Sequence, residues 1–540
     1  MISKHVRLMA AVALACNVVL AAPTNVWAAN YWADRAETTT PIKHLIVIFG
    51  ENRSFDHYFG TYPHATNPNG EPAFHALPDT PRANNLLSGG LLDQNPNSTQ
   101  PFRMDTGLAS VTCDQNHSYT PEQEAADHGL MDKYPQFTGS GSSTSSPCND
   151  YGKGTGVVMG YFDGNTVTAL WNYAQHYAQS DNSYGTMFGP SAVGAINLIA
   201  GTTNTATLVP LKPSGAPASA AGSIANGATS GALIGDARPG GDECVLTNPG
   251  LQNTTMVTVA GKNVGDLLNA KGLTWGWFQG GFAATGYDAK GRAICGSHHV
   301  GLAGDDAVET VGDYIPHHEP FQYFTSTQNL HHVQPSDPAL IGTSADGANH
   351  QYDLGAFWTA LGEDKLPSVT YLKAAAYQDA HPGYSDPIDE QAFVVGVVNA
   401  IENSPYWNDT AIIIAYDDSD GWYDHVLGPV VNESAVSDDA LVAPGNCGSA
   451  SAASQGRCGY GPRLPLLVIS PYAKQNYIDH RATDQSSILR FIEDNWDLGR
   501  IGADSSDAKA GKLNGMFDFR EDHRGSKLIL DPATGLVLSH

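Results

Sequence analysis

Five apolar residues in unbroken succession, residues 45–49, predict a strand buried on both faces, and the run stops abruptly at Gly50. A second run of the same kind, Ala411-Ile-Ile-Ile-Ala-Tyr416, lies far along the chain and ends as sharply at Asp417. Apolar stretches over 273–279, 367–372 and 464–470 predict further strands. Between them the period changes to that of helices. Val167, Leu170, Trp171, Ala174 and Tyr177 share one helical face, as do Ile488, Leu489, Ile492 and Trp496 within 486–496. Short helices are predicted over 195–200 and 264–270, and a longer one from Pro387, whose missing N–H costs nothing at a helix start, to about Asn403. Buried strands alternating with helices imply an α/β protein, its large, mostly parallel sheet covered on both faces.

Two regions break this rhythm. Residues 61–160 are dominated by Pro, Asn, Gly and Ser without a sustained period, which predicts long loops, functional or disordered. Residues 202–262, rich in Thr, Ala, Gly and Asn, read as an insertion, a small β lid. The expected organisation is a leader over 1–28 and a single domain over 29–540 carrying that insertion.

Residues 1–28 have the form of a secretory signal peptide. Lys4 and Arg7 precede an apolar core over 8–22, and Val26-Trp27-Ala28 offers a cleavage site. The short core and Pro23 argue against a stable membrane anchor, so the expected location is periplasmic or extracellular. Six cysteines follow the leader, an even number that suits disulfides in an oxidising compartment. Nearest neighbours are the simplest pairing, with Cys447 and Cys458 closing a Gly/Ser/Ala loop. No C-x-x-C pair is present for a thiolate zinc site. The net charge of −27 opposes binding to nucleic acid or anionic membrane, which need a basic footprint.

The chemistry gathers where the two buried strands stop. Glu51-Asn52 follows one, and Asp417-Asp418 the other. In one parallel sheet these ends meet on the edge where α/β proteins bind ligands. Three carboxylates and an amide there would repel one another without a cation, and oxygen-only ligands suit one hard or borderline divalent metal ion. Asp417-Asp418-Ser419-Asp420-Gly421 is not a calcium loop, because Gly421 at its sixth position puts Tyr416 at the first. Ser191 follows the Gly189-Pro190 break at a predicted helix N-terminus. A hydroxyl there faces unpaired N–H groups suited to an oxyanion, and a cation would activate it as a nucleophile. The plainer reading is a serine N-cap.

These residues fall within longer motifs. Glu51-Asn-Arg-Ser-Phe-Asp-His-Tyr-Phe-Gly60 resembles the signature of the bacterial phosphoesterase family of acid phosphatases and phospholipases C, within the alkaline phosphatase-like superfamily. The likeness extends through Asp114-Gln-Asn-His117, Gly189-Pro-Ser191, Tyr314-Ile-Pro-His317-His318, His381-Pro-Gly-Tyr and Tyr416-Asp-Asp-Ser-Asp-Gly-Trp-Tyr-Asp-His425. It implies an alkaline phosphatase-like fold with Glu51, Asn52, Ser191, Asp417 and Asp418 on one metal ion. It also implies that Ser191 is the nucleophile, with His117, His317, His318 and His381 around the phosphoryl oxygens. His298, His299, His331 and His332 are left as surface or hydrogen-bonded residues. Arg53 to Phe59 are read as packing.

The family's phospholipases C carry Thr in a Gly-Pro-Thr-x-Pro-Asn-Arg pattern and continue into C-terminal β modules. Here Gly189-Pro-Ser-Ala-Val-Gly-Ala stands instead, which resembles the acid phosphatase branch. A sulfatase would need proline at Val193 and arginine at Ala195. The expected activity is therefore a secreted, metal-dependent acid phosphatase hydrolysing phosphate monoesters through a phosphoserine. The alternative is a phospholipase C acting on phosphatidylcholine-type diesters, with Trp275, Trp277, Trp422 and Tyr423 as candidates for a choline cage. A non-enzymatic metal-binding surface protein is the third reading.

Overall fold

The computed structural model describes residues 36–106, 112–140, 152–300, 311–449, 455–520 and 527–540. The expected leader over 1–28 lies outside them, as does Cys148.

Eight strands form the central sheet: β1 (His44–Gly50), β2 (Ala178–Ser180), β3 (Trp275–Gln279), β4 (Gln351–Asp353), β5 (Val369–Lys373), β6 (Thr410–Tyr416), β7 (Leu466–Ile469) and β8 (Tyr477–Asp479). Their spatial order is β4-β3-β5-β1-β6-β7-β2-β8. Only β7 runs against its neighbours, so the sheet is mostly parallel, as its uninterrupted apolar runs require. In β1 every residue from Leu45 to Phe49 is buried whichever way it points. Each such side chain contributes roughly 1.5–3 kcal/mol of burial.

Four helices matter for the site: α1 (Thr168–His176), α2 (Ser191–Ala200), α3 (Pro387–Glu402) and α4 (Gln485–Trp496). Helix α2 packs on α4, and α1 on α3. The start of α2 differs from the sequence reading. It begins at Ser191, four residues before the predicted Ala195, because small residues there let the first turn tuck beneath the sheet edge. A Cβ on Gly194 would stand 2.1 Å from the Asp417 carbonyl oxygen.

The region 61–160 holds more structure than its composition suggested. Helices Tyr119–Ala126 and Tyr134–Phe137 lie within it. The first hides from pattern analysis because it buries Glu122 and Gln123. Their polar ends are satisfied by backbone N–H groups of Gly189, Ala440 and Leu441.

Short strands at Ala206–Leu208, Ser230–Gly231, Arg238–Pro239 and Met256–Val259 make a separate four-stranded sheet. Its Arg238–Pro239 strand packs against the turn Pro316–His318. Disulfides join Cys244 to Cys295 and Cys447 to Cys458, both nearest-neighbour pairs. Among the described residues no helix is long and apolar enough to cross a membrane.

Candidate active site

Strands β1 and β6 are parallel neighbours, paired from His44 with Thr410 to Gly50 with Tyr416. The residues that follow therefore leave the sheet side by side. Glu51, Asn52, Asp417 and Asp418 are all buried. Asn52 takes a left-handed conformation (φ 51°), which asparagine tolerates, and its N–H donates to Asp417 Oδ1 at 3.2 Å. Glu51, Asp417 and Asp418 each place a carboxylate oxygen within 4.8 Å of the others. Burial, followed for Asp417 by the Glu51 charge, pushes the carboxyl groups of Asp417 and Asp418 well above their ordinary range.

Ser191 is fully buried as the first residue of α2, but its side chain does not cap the helix. Its Oγ lies 3.0 Å from Asp418 Oδ2, 3.2 Å from Glu51 Oε2 and 3.5 Å from Asn52 Oδ1. One hydroxyl proton serves one of these oxygens at a time. The plain N-cap reading is thus set aside, and the capping acceptor comes from elsewhere: Ala192 N–H donates to Asp236 Oδ1 at 3.0 Å. Gly189, at φ 118°, supplies the turn into Pro190 that only glycine makes without strain.

The donor set fits a cation. Asp417 Oδ2 is buried without a hydrogen bond. Asn52 turns an amide atom toward Glu51 Oε2 and toward Asp417 Oδ1, 3.0 Å away. As oxygen it joins a ring of acceptors that a cation reconciles; turned over, its NH2 donates to both. One protein cation is already present: Lys373, the last residue of β5, contacts Glu51 Oε1 and lies 3.6 Å from Asp417 Oδ2. Burial works against the charge on this ammonium, but Glu51, Asp417 and Asp379 outweigh it and raise its pKa. A single lysine leaves the carboxylates in excess, which suits a divalent ion.

The four histidines singled out in the sequence all approach this cluster, in different states. His318 Nδ1 stands 3.0 Å from Glu51 Oε1, and its buried Nε2 has no partner. Burial, with Lys373 and His381 nearby, drives its pKa well below the ordinary value, which keeps the ring neutral. His317 packs edge-on against His318, with Nε2 3.8 Å from Asp236 Oδ2. His381 is anchored by its own N–H on Asp379 Oδ1, and its ring lies 6.1 Å from that of His117. His117 Nδ1 is 3.2 Å from Asp420 Oδ1. Burial opposes its charge, yet Asp418, Asp420 and Asp114 raise its pKa well above the ordinary value.

Other expectations are corrected or confined to the periphery. Trp275, Trp277, Trp422 and Tyr423 are all buried, so they form no open choline cage. Trp275 stacks on His350, Trp277 on Tyr371 and Trp422 on His57. Their chemistry is core packing. His299, His331 and His332 pair with Asp313, Glu243 and Asp242, and His298 is exposed. Arg53 bonds the Ala380 carbonyl and His57, in keeping with a packing role. Sequence reasoning missed Lys373, Asp379, Glu122, Asp420 and Asp236. Two of these carried a signal: Asp420 lies within the motif from Tyr416 to His425, and Lys373 ends a buried strand as Gly50 and Tyr416 do.

Comparison with known proteins completes the description. The Phosphoesterase family model matches residues 42–499. The non-hemolytic phospholipase C of Pseudomonas aeruginosa is 23% identical over 465 residues, covering 84% of this chain and 53% of that protein. Phospholipase C B of Mycobacterium tuberculosis is 22% identical over 504 residues, covering 91% of this chain and 80% of its own. The chain thus spans about half the length of the Pseudomonas relative. A solved structure of a protein in the alkaline phosphatase superfamily from Vibrio parahaemolyticus aligns with 77% of this chain and 78% of its own, at 13% identity and a TM-score of 0.26.

Proposed function

The chain belongs to the phosphoesterase family, and on that premise we propose that it is a hydrolase of phosphoester bonds acting on phospholipid-type phosphodiesters. The observation that carries the chemistry is the position of Ser191 Oγ, which meets oxygens of Asp418, Glu51 and Asn52 at 3.0–3.5 Å on a buried helix N-terminus. The names of the relatives, phospholipases C, support the diester over the monoester expected from the sequence.

Glu51, Asn52, Ser191, Asp417 and Asp418 would hold one divalent ion, which when bound would lower the pKa of the serine hydroxyl and offset phosphoryl charge. Ser191 Oγ–H gives its proton to Asp418 Oδ2, the nearest of the three oxygens within its reach. Oγ then attacks phosphorus in line, the Oγ–P bond forms, and the bond to the leaving alcohol breaks. His117, held protonated by Asp420, gives that alcohol oxygen its proton. Water then attacks phosphorus and gives its proton to His117, and the Oγ–P bond breaks as Ser191 takes its own proton back from Asp418. His317, whose buried Nδ1 lacks a partner, and His381 are placed to donate to the phosphoryl oxygens, while His318, neutral, turns Nδ1 to Glu51. Lys373 offsets charge on Glu51. The disulfides fit an exported protein.

A phosphate monoester remains the second reading, favoured by Ser191-Ala192-Val193-Gly194 in place of the threonine pattern of the family's phospholipases C. Release of diacylglycerol from phosphatidylcholine vesicles and of p-nitrophenol from p-nitrophenyl phosphate, measured side by side on metal-analysed protein, separates the two. Ser191→Ala should abolish both activities without unfolding the chain. Undiminished turnover in that variant would remove the mechanism.

A further inference from the structure

The acceptor that caps the helix of Ser191 is itself an anion, and it lies against the first turn of that helix. Ala192 N–H, adjacent to Ser191, donates to Asp236 Oδ1 at 3.0 Å, and Asp236 Oδ2 lies 3.8 Å from His317 Nε2. Ala192 N–H is the backbone donor next to Ser191, of the kind that binds an attacked phosphoryl group at a helix N-terminus. Two more ring atoms in the same corner, His317 Nδ1 and His318 Nε2, are buried without partners. Asp236 is about 29% exposed and lines a cleft of about 430 Å³ together with Pro190, His117 and Ile234.

The carboxylate is held there by its own backbone. Ile234 N–H donates to Ser223 O at 2.8 Å and Arg238 N–H to Thr255 O at 2.8 Å, so backbone hydrogen bonds fix the chain on both sides of it. A phosphoryl group reaching Ser191 therefore meets a fixed negative charge beside its binding donors. Repulsion scales with the charge the phosphoryl group brings. A diester carries one negative charge, whereas a monoester carries close to two above its second ionisation near pH ~6.

We propose that Asp236 is a specificity-determining residue that selects phosphodiesters over dianionic phosphomonoesters by placing a carboxylate against the phosphoryl subsite. This rests on the phosphoesterase reading of Ser191. It assigns to residues 202–262 a role in choosing substrate charge.

The test compares p-nitrophenyl phosphate with methyl p-nitrophenyl phosphate, which share a leaving group and differ in charge, at pH 8. Asp236→Asn keeps an acceptor for Ala192 N–H but loses the charge, Asp236→Ala loses both, and Asp236→Glu keeps the charge. The ratio of kcat/KM for monoester over diester should rise about tenfold in the Asn and Ala variants and stay near wild type in the Glu variant. The inhibition constant of inorganic phosphate should fall by a similar factor in the first two. A ratio and an inhibition constant within twofold of wild type in Asp236→Asn would overturn the proposal and leave Asp236 as a helix cap. Absence of turnover of both esters by wild type, or full turnover by Ser191→Ala, would instead remove the phosphoesterase reading beneath it.

Discussion

Gly50 and Tyr416 stand opposite one another at the ends of adjacent parallel strands, and the carboxylates of Glu51 and Asp417 converge because of that register. Neither carboxylate is positioned by a loop. Both inherit their place from a pairing of buried apolar residues, and such elements hold a site more tightly than loops do.

Metal dependence follows from this convergence. Asp418→Asn should bind at least about tenfold less divalent metal, by elemental analysis after dialysis, and lose activity in parallel, since it removes a charge that also faces Ser191. Chelation of the wild type should lower its melting temperature, because a ligand that binds only the folded state stabilises it by about 2.7 kcal/mol at a hundred times its Kd. A melting temperature indifferent to chelator would argue against these ligands.

Lys373 offers a different prediction. It is buried between Glu51 and Asp417. Lys373→Met leaves those carboxylates without their ammonium, and removing one partner of a buried pair typically costs about 3–5 kcal/mol. Urea titration should show most of that loss in metal-free protein and less in metal-loaded protein, where the ion substitutes for the lost charge.

The contrast between His117 and His318 predicts a division of labour. Asp418, Asp420 and Asp114 keep His117 charged against the cost of burial, whereas burial keeps His318 neutral. His117→Asn should slow esters of alkyl alcohols by about 10²–10⁴-fold, the usual worth of a general acid. It should slow p-nitrophenyl esters far less, because that leaving group departs without a proton. Equal loss on both substrates would assign His117 to binding.

Three buried carboxyl groups should each weaken folding as pH rises. Burial pushes the carboxyl groups of Glu122, Glu390 and Glu402 up to about 7 from 4.5. Between those values the unfolded chain has released the proton that the folded chain still holds, so folding weakens across that window. Each group contributes on the order of 3 kcal/mol, fully present below about pH 4.5 and lost above about 7. Glu402 lies away from the site, bonded to Tyr177 Oη and Leu528 N–H. In metal-free Glu402→Gln the melting temperature should fall less between pH 5 and pH 7.5 than in the wild type, and an unchanged difference would contradict the assignment.

The parts of the site legible in the sequence are those on buried strands. Continuous apolar runs have few alternative readings, so β1 and β6 and the carboxylates after them stand out. Ser191 was visible through Gly189-Pro190, which had to break the chain. Lys373 was hidden because a charged residue at a strand end reads as solvated. Asp236 was hidden in a stretch of small residues whose pattern says little about neighbours. The four aromatic residues misled because periodicity shows that a side chain is apolar, not which surface it covers. In the helix Tyr119–Ala126, Glu122 and Gln123 face inward on hydrogen bonds that no hydrophobicity pattern records.

The glycine at position 194 carries a consequence for Ser191. Its missing side chain lets α2 lie with its first turn against the backbone of Asp417, where a Cβ would collide at 2.1 Å. The gap between Ser191 Oγ and the carboxylates is therefore set by contact between two backbones rather than by side-chain reach. A site built this way sets that gap as a close-packed interior sets its volume, in steps no finer than one methyl group.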